Sequence, residues 1–201
     1  MVYIMKYIIT IILFLNFTAV MPQVGIGTTS PTAALEISTE NAGIPALRLQ
    51  PQLAPVGTEA GQLAIFDREL YYYDHIRTMW LSVASQALSF SIDGSADGIF
   101  LGYGGNMVST NNGALMPFDG VVVAYSARVT GGSLTKSMRI FRRRGTAILN
   151  FIDFSLVNGE FISGQVFRFS RGDYLNVRVN ANGGEVNNPT VTLWVKWRKE
   201  Y

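Results

Sequence analysis

The sequence predicts an all-β protein, and three observations carry that expectation. No long segment holds a helical apolar period, several segments alternate apolar and polar residues with period two, and turn signals separate them at short intervals. Residues 24–86 come first, as short apolar segments cut by Gly and Pro: VGIGTTSPTAALEIS, GIPALRLQP and GQLAIFDRELYYYDHIRTMWLSV. Residues 87–98 read as a linker containing Asp93-Gly94-Ser95-Ala96-Asp97-Gly98. Residues 99–201 then carry longer strands over Val121–Val129, Leu134–Arg142, Thr146–Phe154, Gln165–Phe169, Tyr174–Val179 and Thr190–Arg198. Asn112-Gly113, Asn158-Gly159 and Asn182-Gly183-Gly184 mark turns between them. In the Tyr174 strand, Leu175, Val177, Val179 and Ala181 face one way, and Tyr174, Asn176, Arg178 and Asn180 the other. In the last strand Val191, Leu193, Val195 and Trp197 share a face opposite Thr192, Trp194, Lys196 and Arg198. This is the pattern of half-buried antiparallel strands, and its regular repetition argues for a β-sandwich or jelly roll.

Composition narrows the function. The 201 residues include no Cys and one His, His75; 15% are charged and 48% hydrophobic, with 16 Lys and Arg against 14 Asp and Glu. A net charge of +2 supplies no electrostatic footprint for nucleic acid. The missing cysteines exclude disulfides, thiolate metal sites and a cysteine nucleophile. A single His leaves no two-histidine metal site. No cofactor, no resident metal and no catalysis are expected.

The N-terminus reads as an address. Lys6 is the first charge, Glu36 the next, and an apolar run from Tyr7 to Val20 lies between them. A cation followed by a short apolar run is the layout of a secretory signal; the run is shorter than the ~20 residues that span a bilayer. Residues 1–22 are assigned as the signal, with Met5 as an alternative start and a mature N-terminus between Val20 and Val24. An uncleaved anchor is the alternative. Export through the general secretory route, to the cell surface, the medium or the periplasm, is the expected localisation.

The front region also poses a burial problem. Leu35, Ile37, Leu47, Leu49, Leu63, Ile65, Phe66, Tyr71, Tyr72, Tyr73 and Trp80 lie in segments too short and too broken to close a core alone. Identical chains wrapping around a common axis would bury them, so an obligate oligomer is expected.

Two stretches carry a resemblance. QVGIGTTSPTAALEIS (Gln23–Ser38) with GIPALRL (Gly43–Leu49), then GQLAIFDRELYYYDHIRTMWLSV (Gly61–Val83), resemble segments of Bacteroidetes surface proteins and phage-tail-fibre-like proteins. The turn His75-Ile76-Arg77 departs from the Gly that commonly follows Tyr-Asp there. This resemblance implies a trimeric β-stalk over residues 24–86. MPFDGVVVAYSARVT (Met116–Thr130) and FSRGDYLNVRV (Phe169–Val179) are similar to trimeric jelly-roll heads of the complement and tumour-necrosis-factor type. The final strand, with Trp194, Trp197 and Tyr201, matches the aromatic-rich last strand of such heads. This second resemblance implies a homotrimeric head over residues 99–201 that is structural or binds ligands at its apex or flanks.

Each candidate site has a plain structural reading beside it. Gly25-Ile26-Gly27-Thr28-Thr29-Ser30 imitates a dinucleotide fingerprint but lacks its last Gly and its strand–turn–helix setting, so a tight turn is expected. Asp93–Gly98 resembles half of a calcium loop, yet Gly104 stands where a bidentate Glu is needed. Arg142, Arg143 and Arg144 form the densest positive charge. They read either as a solvated hairpin turn or as a contact for acidic polysaccharide, and they are the ligand-binding candidates. Arg171-Gly172-Asp173 reads as a turn in which Asp173 accepts from backbone donors. Tyr71–Tyr73 with Trp80 could stack sugars or pack a core, and the Asp74-His75 pair has no nucleophile motif beside it. No two of Asp119, Asp153, Glu160 and Asp173 are brought together as a glycosidase pair would require. The expected function is an exported, non-catalytic, homotrimeric fibre or head used for adhesion or assembly, partnered by itself and by surface polysaccharide or another appendage protein. A glycan- or receptor-binding tail-fibre module and a trimeric glycan-degrading enzyme are the alternatives.

Overall fold

The structure, a computed structural model, describes residues 23–39, 43–133, 136–155 and 160–199. The expected signal (1–22), the Asn158-Gly159 turn, the start of the predicted strand at Leu134, the Glu160 side chain and Tyr201 lie outside the described residues or side chains. Every regular element described is a strand, so the protein is all-β. The chain divides into two compact units, Met1–Leu49 and Gln50–Tyr201.

The first unit holds β1 (Val24–Ile26) and β2 (Leu35–Ile37), paired in parallel with Val24 opposite Leu35 and Ile26 opposite Ile37. Parallel neighbours usually need a crossover of a dozen or more residues, whereas here residues 27–34 alone connect them. That short return relies on Gly27, whose φ of 75° is left-handed and whose missing Cβ would sit 2.1 Å from the Ser38 carbonyl oxygen. Within the return, Glu36 accepts hydrogen bonds from the Thr32 amide (2.5 Å) and hydroxyl (2.9 Å). Those bonds hold the Glu36 carboxyl below its usual range. The dinucleotide look-alike is therefore the tight turn its sequence suggested. Burial is poor: Val24, Ile26, Leu35, Ile44 and Leu47 are all exposed.

The second unit begins with β3 (Leu63–Phe66), β4 (Glu69–Asp74) and β5 (Met79–Ser82), an antiparallel meander. Next come β6 (Gln86–Ser91), β7 (Ser95–Ala96), β8 (Gly102–Tyr103), β9 (Ala114–Leu115), β10 (Gly120–Arg128) and β11 (Gly131–Gly132). The last are β12 (Ser137–Arg144), β13 (Ala147–Ser155), β14 (Glu160–Phe169), β15 (Tyr174–Val179), β16 (Val186–Asn187) and β17 (Thr190–Lys199). Two sheets enclose the core in a jelly-roll-like sandwich. One contains β14-β10-β17, with β6 continuing beside β17 and β8 beside β6; the other is β13-β12-β15-β9. A small sheet, β11-β16-β7, adds Val186 and Ala96 to the same core.

The core is built from the alternation seen in the sequence. Val191, Leu193 and Val195 of β17 and Leu175, Val177 and Val179 of β15 are each fully buried and belong to one cluster with Met138, Ile140, Phe167 and Phe169. In β10 a bulge between Val122 and Ala124 resets the phase, so Val122 and Tyr125 both reach this core despite an odd spacing. Gly120 starts that strand under the Phe169 ring; a Cβ there would lie 2.4 Å from it.

The change of sequence texture at 86/87 is not where the compact units part. Residues 50–86 fold with the sandwich, because Met79 and Leu81 bury themselves against Val121, with Tyr72 and Val123 packed on that cluster. On the other side of the meander, Phe66, Tyr71, Trp80 and Ala64 form a second cluster with Tyr73 against it. All four residues of β5 are buried. Its end pairs with the end of β17, Leu81 opposite Arg198 and Trp80 opposite Lys199.

Candidate functional site

The three arginines take up positions different from a solvated turn. Arg142, Arg143 and Arg144 are the last residues of β12, and Gly145, with φ 56°, together with Thr146 makes the turn into β13. Opposite them sits Asp173, fully buried at the start of β15. Arg142 Nε donates to Asp173 Oδ2 at 2.5 Å, and Arg144 Nε to Oδ1 at 2.8 Å. The Ser170 amide donates to Oδ2 at 2.8 Å, so the carboxylate also closes its own turn. A buried carboxylate needs countercharge and donors, and this one takes two of the three arginines. Arg142 reaches further to the Ser170 hydroxyl at 3.2 Å. The Arg-Gly-Asp tripeptide is thereby a structural turn.

Arg143 points to the opposite face of the sheet and is only 5% exposed. Its guanidinium lies over Phe141, 4.6 Å from the ring centroid, in a row that continues on that face. Arg139 stacks on Phe151 at 4.0 Å, and Arg178 lies 5.7 Å from Phe100. The segment between β8 and β9 covers part of this row. Asn176 Nδ2 donates to the carbonyls of Ser109 (3.0 Å) and Asn112 (3.1 Å), and the Tyr174 hydroxyl to that of Thr110 at 2.7 Å. The expected outward face of β15 is therefore half interior.

Other sequence candidates are absorbed into the fold. Asp97 pairs with the fully buried Lys136, while Gly94 and Asn188 exchange hydrogen bonds of 2.6 and 2.8 Å across the β7–β16 region. Among the described residues no cluster of three His, Asp or Glu could hold a metal ion. Asp153 forms a two-pronged pair with Arg139, both contacts 2.6 Å, which holds its carboxyl below the usual range. Asp74 accepts from the amides of Ile76 and Arg77 at 3.0 Å each and from Arg77 Nη1 at 2.5 Å. Burial pushes its pKa up, but the Arg77 hydrogen bonds and charge outweigh that and leave it low. The departing turn thus has its own support without Gly, and His75 is exposed beside it. Tyr71 and Tyr73 pack with Trp80, edge-on to it in the case of Tyr73 at 5.4 Å. Tyr72 packs on the other side, with Lys196 5.2 Å from its ring; both faces of the tyrosine run are used for packing.

A concave feature lies elsewhere, at one end of the sandwich in the second unit. A cleft of about 430 Å³ is bounded by the β3–β4 turn, Phe118 and Asp119 before β10, Arg171 after β14, and the last residues of β17. Aromatic and charged side chains of both signs line it. Of the lining residues, the sequence offers Tyr71 within the aromatic run that could stack sugars, Phe66 among the apolar residues needing cover, Trp197 and Arg198 in the last strand, Asp119 as an isolated carboxylate and Arg171 as part of a tripeptide. The Phe118-Asp119 step of the MPFDG segment was the available signal. Comparisons with protein-family models, curated proteins and solved structures return no match.

Proposed function

We propose that this protein is an exported, non-catalytic homotrimeric head or fibre protein that serves adhesion or assembly at the cell surface. It would resemble the Bacteroidetes surface and tail-fibre-like proteins whose segments Gln23–Ser38, Gly43–Leu49 and Gly61–Val83 echo. The observation that supports this reading is the exposed apolar surface of the first unit. A two-stranded sheet is marginal in water by itself, and this one leaves Val24, Ile26 and Leu35 each more than half exposed. Three copies of the segment would cover those side chains mutually, and a rigid sandwich with a well-filled core suits a displayed head. Residues 1–22 serve as the export signal in this reading, and the partners are other copies of the chain and a surface polysaccharide or appendage protein.

Light scattering on the exported protein tests the association. Three chain masses are expected. One chain mass at micromolar concentration overturns the proposal, because the exposed strands would then be stable uncovered.

A further inference from the structure

The cleft at the end of the sandwich has features that no packing role requires, and we propose that it binds a hydroxyl-rich, neutral or singly acidic saccharide. Phe118 carries the argument. It is 57% exposed, yet it is held in a defined pose, edge-on to Trp197 at 5.6 Å, and Trp197 is in turn edge-on to the buried Phe169 at 6.3 Å. An exposed phenyl ring braced in this way offers a fixed apolar surface. The partial negative charge of its face attracts the polarised C–H groups of a pyranose ring.

The loop bearing Phe118 is fastened on both sides. Asp119 Oδ1 accepts from the Arg171 amide at 2.7 Å, and the Asp119 carbonyl accepts from the Arg198 amide at 3.0 Å. The opposite wall is the two-residue turn of β3–β4, where Asp67 adopts a left-handed φ of 56° and presents its side chain to solvent. A site on pre-set walls loses little entropy on binding.

The charges select the ligand class. Asp67, Glu69 and Asp119 oppose Arg68, Arg171, Arg198 and Lys199 around one cleft. A polyanion would meet three carboxylates, and an apolar ligand would strand seven charged groups. Sugar hydroxyls both donate and accept, so they satisfy carboxylates and guanidinium groups together. The pair joining the walls, Lys199 Nζ to Asp67 Oδ2 at 3.2 Å, is exposed. Such pairs contribute little, so a ligand displaces it easily. The volume lies within the range of small-ligand sites.

All lining residues belong to the second unit of a single chain, so the site does not depend on trimer formation. The test is isothermal titration of the full exported protein against a panel of neutral and uronic-acid-containing tri- and tetrasaccharides, to about 10 mM, a range that reaches weak binders. At least one saturable ligand is expected. The variant Phe118→Ala should weaken it by about tenfold or more, as for a central contact residue, with an unchanged thermal midpoint. Asp119→Asn provides a second variant with a weaker binding constant expected. Heat from none of the panel, or a ligand whose affinity survives both variants, overturns the proposal. Light scattering of the same samples reads association separately, so a failed titration and a monomeric mass contradict different statements.

Discussion

Residues 23–49 and residues 63–82 both carry short apolar strands, the first interrupted by Gly and Pro and the second by the charged turns at Asp67-Arg68 and Asp74–Arg77, and they end in opposite situations. In the first stretch, among the described residues, β1 and β2 pair only with each other and leave Val24, Ile26 and Leu35 exposed. In the second, the β3–β5 meander buries Phe66, Tyr71, Met79, Trp80 and Leu81. The later stretch reaches a surface: Val121 and Val123 of β10 receive Met79 and Leu81, and β17 extends to pair with β5. Strand length and local composition do not decide burial in such segments. What decides it is whether a larger sheet offers an apolar face within reach.

The contrast can be broken most forcefully from the sandwich side. Asp173→Ala removes the buried acceptor of two arginines and of the Ser170 amide, three charge-assisted hydrogen bonds, so a loss of about 3 kcal/mol or more is expected, read as a lower urea midpoint at unchanged slope. An unchanged midpoint would mean that the arginines prefer solvent. Leu81→Ala should cost about 3 kcal/mol through the cavity it leaves, which chemical denaturation also measures. If Leu81→Ala were as mild as a surface change, the meander would not be part of the cooperative unit.

A smaller effect comes from Asp74. Its folded pKa lies below the ordinary carboxylate value, so the stabilisation is fully present above the unfolded pKa of about 4 and is lost as pH falls below it. Asp74→Asn should cost about 1–2 kcal/mol at neutral pH, and the gap to the parent protein should close in acid. A gap that stays constant from neutrality to acid would show that charge plays no part. Smallest of all, Ile26→Ser should move the unfolding midpoint by less than about 0.5 kcal/mol while weakening association in light scattering. A large stability loss in a demonstrated monomer would place Ile26 in a core of its own and erase the contrast.

Much of the fold could be read from particular residues. The alternation in Tyr174–Val179 and Thr190–Arg198 named the core-facing side chains correctly, since their burial follows directly from the pleat. Asp173 was rightly placed in a turn, because a short carboxylate two or three residues from free amides closes one locally. The arginines were harder. Arg142 to Arg144 look like a solvated cluster in sequence, and only the pairing of β12 with β15, Arg142 opposite Leu175 and Arg143 opposite Tyr174, brings Asp173 beside them. The bulge in β10 is another such case, invisible until Val122 and Tyr125 are both found inside.

The cleft shows the same division more sharply. Phe118, Asp67, Arg171 and Trp197 lie far apart along the chain, and no spacing rule relates them. Sequence alone determined the class of structure, the apolar core-facing residues of β15 and β17, and the absence of cysteine chemistry, because these follow from local period and composition. Tertiary structure decided which apolar strands found cover, which charges found partners, and where a concave surface opened. Those outcomes depend on contacts between distant segments, and local patterns carry no record of them.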